Sequence, residues 1–175
     1  MTAARVRRAL RMTPLAVLVC ASLHAADAPT TSDFGGAGLW QTPTARMAPE
    51  GELSLTASRT SPYTRYNITL QPLPWFEGIF RYVSVGDRRY GPTQLSGNQN
   101  YKDKSIDVKV RLWQESHYLP DVSVGLRDIG GTGLFSGDYI VANKRFGPID
   151  VSLGLGWGYL GNRGDISNPL GNLSD

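Results

Sequence analysis

The chain has 175 residues, one cysteine, and 18 Lys and Arg against 15 Asp and Glu. A single cysteine excludes an internal disulfide framework and a zinc site built on several thiolates. Arg5, Arg7, Arg8 and Arg11 all precede the first acidic residue, Asp27, so the remainder carries 18 − 4 = 14 basic residues against 15 acidic ones and offers no basic surface for nucleic acid.

Those four arginines lead into the apolar run 15–23, which ends at the small residues Ala25 and Ala26. Basic, then apolar, then small is the order of a secretory signal peptide, and the run is about half of the roughly 20 residues that a membrane-crossing helix needs. Residues 1–26 are therefore expected to be a cleaved signal. Cys20 lies inside it, preceded by Val19 where a lipoprotein signal wants a small residue, and reads as part of the apolar core. Residues 27–50 read as a periplasmic lead-in, and 51–175 as the β domain.

From Gly51 onward the hydrophobic pattern has period two and never holds a 3.6-residue period for three turns, which predicts an all-β chain. The first strand, 52–58, sets Leu53, Leu55 and Ala57 against Glu52, Ser54, Thr56 and Ser58. The second, 63–71, sets Tyr66, Ile68 and Leu70 against Arg65, Asn67, Thr69 and Gln71. Pro72 and Pro74 then force a turn, because proline cannot donate to a ladder. The third, 75–85, carries Phe76, Phe80 and Tyr82 opposite Glu77 and Arg81. A polar stretch, 86–104, reads as a long loop.

The fourth strand alternates Ile106, Val108, Val110 and Leu112 with Asp107, Lys109, Arg111 and Trp113. Three charges in a row predict water on that face. The fifth is 121–127. A Gly-rich loop, 128–137, leads to the sixth, 138–146. The seventh, 149–160, aligns Val151, Leu153, Leu155, Trp157 and Tyr159 on one face. Residues 161–175 have no period.

An antiparallel meander of this kind fits either a transmembrane outer-membrane β-barrel or a soluble periplasmic polysaccharide-binding β-sandwich with exposed aromatics such as Tyr90 and Tyr101. Three features favour the barrel. The third and seventh strands are long enough for a tilted bilayer crossing. Short connections alternate with long ones, as periplasmic turns alternate with external loops, the short 60–62 connection being the exception. Trp75, Trp113, Tyr82, Trp157 and Tyr159 fall near strand ends, where ring side chains suit a lipid–water interface.

No catalytic, metal or cofactor site is expected. Gly154-Leu155-Gly156-Trp157-Gly158 lacks both GxGxxG spacing and a following helix, so it reads as small residues on a crowded strand. Asp121, Asp128 and Asp138 could supply paired carboxylates for glycoside hydrolysis, but their positions at strand starts and Gly-rich turns suit local turn formation. His117 is the sole histidine after the signal and has no nucleophile motif beside it. The row Asp107, Lys109 and Arg111 is the candidate site. In a barrel it faces the lumen, where charge tunes what passes, and in a sandwich it is a solvated face.

Three stretches carry a family resemblance: Gly38 through Met47, Asp103 through Lys109, and Tyr118 through Asp121 continuing over Gly125-Leu126-Arg127-Asp128-Ile129-Gly130-Gly131-Thr132-Gly133-Leu134-Phe135-Ser136. The chain resembles the YjbH-type outer-membrane proteins associated with exopolysaccharide and capsule production. That resemblance implies a β-barrel of which this chain is an N-terminal part, partners among outer-membrane lipid, surface polysaccharide and other polysaccharide-secretion proteins, and no catalytic residues to carry over.

Overall fold

The computed structural model describes residues 29–161 and 166–170; the expected signal peptide and Cys20 lie outside the described residues. Two short strands, β1 (Gly38–Leu39) and β2 (Thr42–Pro43), pair with each other. Seven longer ones form a single antiparallel sheet: β3 (Glu52–Thr60), β4 (Tyr63–Leu73), β5 (Phe76–Arg89), β6 (Asn100–Trp113), β7 (Asp121–Arg127), β8 (Gly137–Phe146) and β9 (Ile149–Gly156). Each pairs with its neighbour in sequence, so the sheet is a meander. One turn of helix, α1 (Thr93–Ser96), sits in the β5–β6 connection.

The expectation of all-β structure holds, and β7 has the bounds that its alternation predicts. Two expectations need correction. Residues 86–104 are not one loop, because Val83, Ser84 and Val85 pair with Asp103, Lys102 and Tyr101, leaving only residues 90–99 between the strands. The inward side chains there include Asp103 and Ser105, both buried, so a polar residue occupies the position where hydrophobic alternation would have signalled a strand. The last strand ends at Gly156 rather than continuing to residue 160. Trp157 turns away from the apolar face and is 8% exposed, its indole N–H donating to the Ile166 carbonyl at 2.8 Å.

The sheet's polarity is inverted relative to a water-soluble sheet. Along β4, Arg65, Asn67, Thr69 and Gln71 are buried while Tyr66, Ile68 and Leu70 are exposed. Along β5, Glu77 and Arg81 are buried and Phe80 is exposed; along β6, Asp103, Ser105, Asp107 and Lys109 are buried and Ile106 is exposed. The pleat enforces this split, since successive side chains point to opposite faces.

Residues 29–50 cover the polar face. Phe34 lies against Arg65 of β4 and Arg127 of β7 at once. In a flat sheet those strands would stand about 14 Å apart, so strand twist must curl the sheet around the segment. The apolar clusters lie on this inner side: Phe34 with Val83, Val85 and Phe135, and Ala45 with Tyr139 and Val141.

Candidate functional site

The row Asp107, Lys109 and Arg111 lies on the inner face, but water does not supply its counter-charges. Asp107 and Lys109 are 2% and 1% exposed, covered by residues 32–47. Each of the three meets an opposite charge that register brings to it. Lys109 is directly across from Glu77 in the β5–β6 ladder, and their charged groups are 2.9 Å apart. Arg81 pairs with Ser105 and so reaches Asp107 two residues along, forming an ion pair. Arg111 pairs with Ser123 and reaches Asp121 diagonally at 3.1 Å. Direct and diagonal neighbours across a ladder are the positions where long side chains meet.

Lys109 is also the attachment point of the N-terminal segment. Its ammonium donates to the carbonyls of Ala37 at 3.2 Å and Arg46 at 2.9 Å, so its three donors are used. The Ala37 amide donates in return to Glu77 Oε2 at 3.1 Å. Gly36 permits this approach: a Cβ there would stand 2.4 Å from Glu77 Oε1. Beside it the Ala45 amide donates to Asn143 Oδ1 at 2.7 Å, and the Ser123 hydroxyl donates to the Ala45 carbonyl at 3.1 Å. The segment thus satisfies its own backbone groups with wall side chains, as buried irregular backbone must.

At the end nearest the 114–120 loop, Arg46 is the hub. It makes two 2.8 Å hydrogen bonds to Asp150 and lies 2.7 Å from Glu115 and 3.3 Å from Asp121. The Asp150 carboxylate holds the guanidinium above its ordinary pKa. Glu115 accepts the Arg145 amide at 2.9 Å, and that bond, aided by Arg46 and Lys144, holds its carboxyl below the usual carboxylate range. Lys144 also donates to the carbonyls of Ser116, His117 and Leu119, fixing the loop.

At the opposite end, Arg65, Arg81 and Arg127 surround Phe34, with Phe135 and Tyr159 packed against it. Asp128 accepts the Phe135 amide at 3.1 Å, and its own amide donates to Asp107 Oδ1 at 2.8 Å. Burial pushes its carboxyl up, against the pull of that accepted bond.

The other residues singled out by sequence are not brought together. Asp121 is committed to Arg46 and Arg111, Asp128 to Phe135, and Asp138 accepts from Asn168 at 2.6 Å. His117 is exposed beside Tyr118. Gly154 and Gly156 border a groove of about 340 Å³ with Leu39, Pro43, Tyr139 and Leu160, at the open β9 side. Glu77 and Arg81 were visible as a polar face, but their ion pairs with the fourth strand need the register. Arg65 was visible in the same way on the polar face of the second strand, whereas Arg46 and Arg127 carried no local signal, because the partners that bury them are distant in sequence.

Fold and site together define a curled, seven-stranded antiparallel meander, apolar outside, with a charged inner face filled by its own N-terminal segment. The chain belongs to the YjbH family, described as "Exopolysaccharide biosynthesis protein YbjH", whose model matches residues 30–175. It is 56% identical over 148 residues to the "Uncharacterized lipoprotein YjbH" of Escherichia coli (strain K12), a match covering 84% of this chain and 21% of that relative. The chain therefore spans about a fifth of the length of the curated relative it matches. No solved structure matches it.

Proposed function

We propose that the chain forms part of the wall of an outer-membrane β-barrel serving exopolysaccharide, capsule-type, biosynthesis and export, and that it performs no catalytic step. The observation carrying this reading is the inverted polarity of the sheet. On β4, Arg65 is fully buried while Ile68 is 43% exposed; on β9, Leu153 is 78% exposed. In water such a broad apolar face costs free energy and invites association, whereas lipid removes that cost.

Other features agree. β4, β5, β6 and β8 have 11, 14, 14 and 10 residues, at or above the roughly 9–11 that a tilted strand needs to cross a bilayer. Trp75 and Trp113, expected in an interfacial aromatic belt, are exposed beside the 74–75 and 114–120 connections, and Phe146 joins them at 147–148, whereas Trp157 and Tyr159, expected at the opposite end, pack inward. The outer edges of β3 and β9 are unpaired among the described residues. Lipid supplies no hydrogen bonds, so this reading requires further strands there.

Outer-membrane lipid would contact the convex face, and surface polysaccharide with other secretion proteins would meet the inner face and loops. The soluble sandwich is less well supported: it needs a second sheet over Leu55, Ile68 and Phe80, and the other ladder among the described residues has two-residue strands. The word lipoprotein in the relative's name bears on Cys20, read here as part of a cleaved signal; incorporation of labelled palmitate at Cys20 would count against that reading.

The test is fractionation of the full-length protein, wild type and Ile68→Arg. The wild type should be recovered as heat-modifiable protein in the outer membrane. A charge on the lipid face costs about 2–4 kcal/mol near the midplane, so the variant should insert poorly. Folded wild type in the soluble periplasm, with Ile68→Arg behaving identically, would defeat the reading.

A further inference from the structure

Near the 128–136 loop the inner face holds three guanidinium groups with more donors than acceptors. Arg65, Arg81 and Arg127, from three different strands, are 0%, 0% and 4% exposed. Their guanidinium carbons stand 5.1, 4.7 and 4.1 Å from the centre of the Phe34 ring. Three carboxylates face them: Asp107 pairs with Arg81 and also attracts Arg127, Asp128 attracts Arg81, and Asp33 stands 3.7 Å from Arg65. Arg127 donates to the Gln41 carbonyl at 3.3 Å. Without a hydrogen-bond partner among the described residues are all three side-chain nitrogens of Arg65, Nε and one terminal nitrogen of Arg81, and one terminal nitrogen of Arg127.

A phenyl ring meets the charge of a guanidinium through its π face but offers its N–H groups no lone pair for a full hydrogen bond. A carboxylate does both, because its two oxygens match the planar N–H fork. Phe34 belongs to the covering segment rather than to the sheet. Around it, Tyr63 and Phe135 add aromatic faces, with Arg65 lying 4.9 and 5.9 Å from their centres. Flat apolar faces beside bidentate cations suit a pyranose ring that bears a carboxylate.

We propose that Arg65, Arg81 and Arg127 form a binding site for the carboxylate of an acidic sugar, and that Phe34 is the internal stand-in which the saccharide displaces. The site deepens the preceding proposal and rests on its polysaccharide reading, adding the substrate class. A neutral sugar brings no charged, two-oxygen acceptor for the N–H groups that Asp33, Asp107 and Asp128 leave without partners, so the site discriminates by leaving those donors unpaired.

The experiment is calorimetric titration of the full-length protein in detergent with galacturonate trisaccharide and with maltotriose. Phe34→Ala should bind the acidic trimer about tenfold or more tightly than wild type, with affinity falling as salt rises, and should not bind maltotriose. Adding Arg127→Gln should remove the gain. Phe34→Val, which vacates most of the ring's space between the guanidiniums, carries the same comparison if Phe34→Ala fails to give the heat-modified mobility of folded protein. Equal binding of the acidic and neutral trimers, binding of neither by the folded variants, or no effect of Arg127→Gln would overturn the site. Membrane recovery reads the barrel proposal separately: protein inserted in the outer membrane but blind to galacturonate refutes the site alone.

Discussion

Lys109 is the residue whose substitution best separates a watery inner face from a packed one. Replacement by Met keeps the length and most of the volume of the side chain but removes the ammonium. Glu77 would then be left 1% exposed with the Ala37 amide as its remaining hydrogen-bond donor, and the Ala37 and Arg46 carbonyls would each lose a donor. Removing one partner of a buried ion pair costs about 3–5 kcal/mol, because the other charge remains without compensation. That is roughly two to three and a half orders of magnitude in the folding equilibrium. A domain stable by about 5–15 kcal/mol can lose a large share of its stability that way. The double variant Glu77→Gln, Lys109→Met removes both charges and should recover a large part of the loss. The assay is the urea midpoint of heat-modifiable full-length protein, with tryptic cleavage after Arg46 as a second readout of the covering segment. If Lys109→Met unfolds within about 1 kcal/mol of wild type, the pair is not the buried clasp described here and the face is hydrated after all.

Three further outcomes are expected. Gly125→Ala should destabilise the sheet by about 1–3 kcal/mol, because a Cβ there would fall 2.1 Å from Tyr139 Cζ in the facing register position; a lower urea midpoint relieved by Tyr139→Ala checks it. Acid should loosen the 114–120 loop: the folded carboxyl of Glu115 is depressed, so its contribution is present above the unfolded carboxylate value and lost as pH falls through the folded one. Hydrogen-exchange protection at Ser116 to Leu119, taken relative to the intrinsic amide rate at each pH, should fall on acidification in wild type and change little with pH in Glu115→Gln. Residues 90–99 contain no Lys or Arg, so on intact cells carrying the full-length protein chymotrypsin, not trypsin, should cut this loop, after Tyr90 or Leu95, which are 58% and 88% exposed. Cleavage at Tyr118 instead would invert the orientation.

The sequence by itself determined the strand-built class, the order of the seven long strands and the face on which most apolar residues lie, Trp157 and Tyr159 beyond the end of β9 excepted. Those properties are local: the period of two is written into each segment, and the pleat converts it directly into sidedness. It stopped short where polar residues alternate with polar ones, as at the start of β6, since hydrophobic contrast is the signal being read. Only the tertiary structure decided what the inner face is. Lys109 and Glu77 are 32 residues apart, Arg46 and Asp150 are 104 apart, and no local pattern encodes such pairings. They follow from strand register and from the curl of the sheet around residues 32–47, and burial under that segment turns a row of charges from a wetted surface into a set of ion pairs that hold the segment in place.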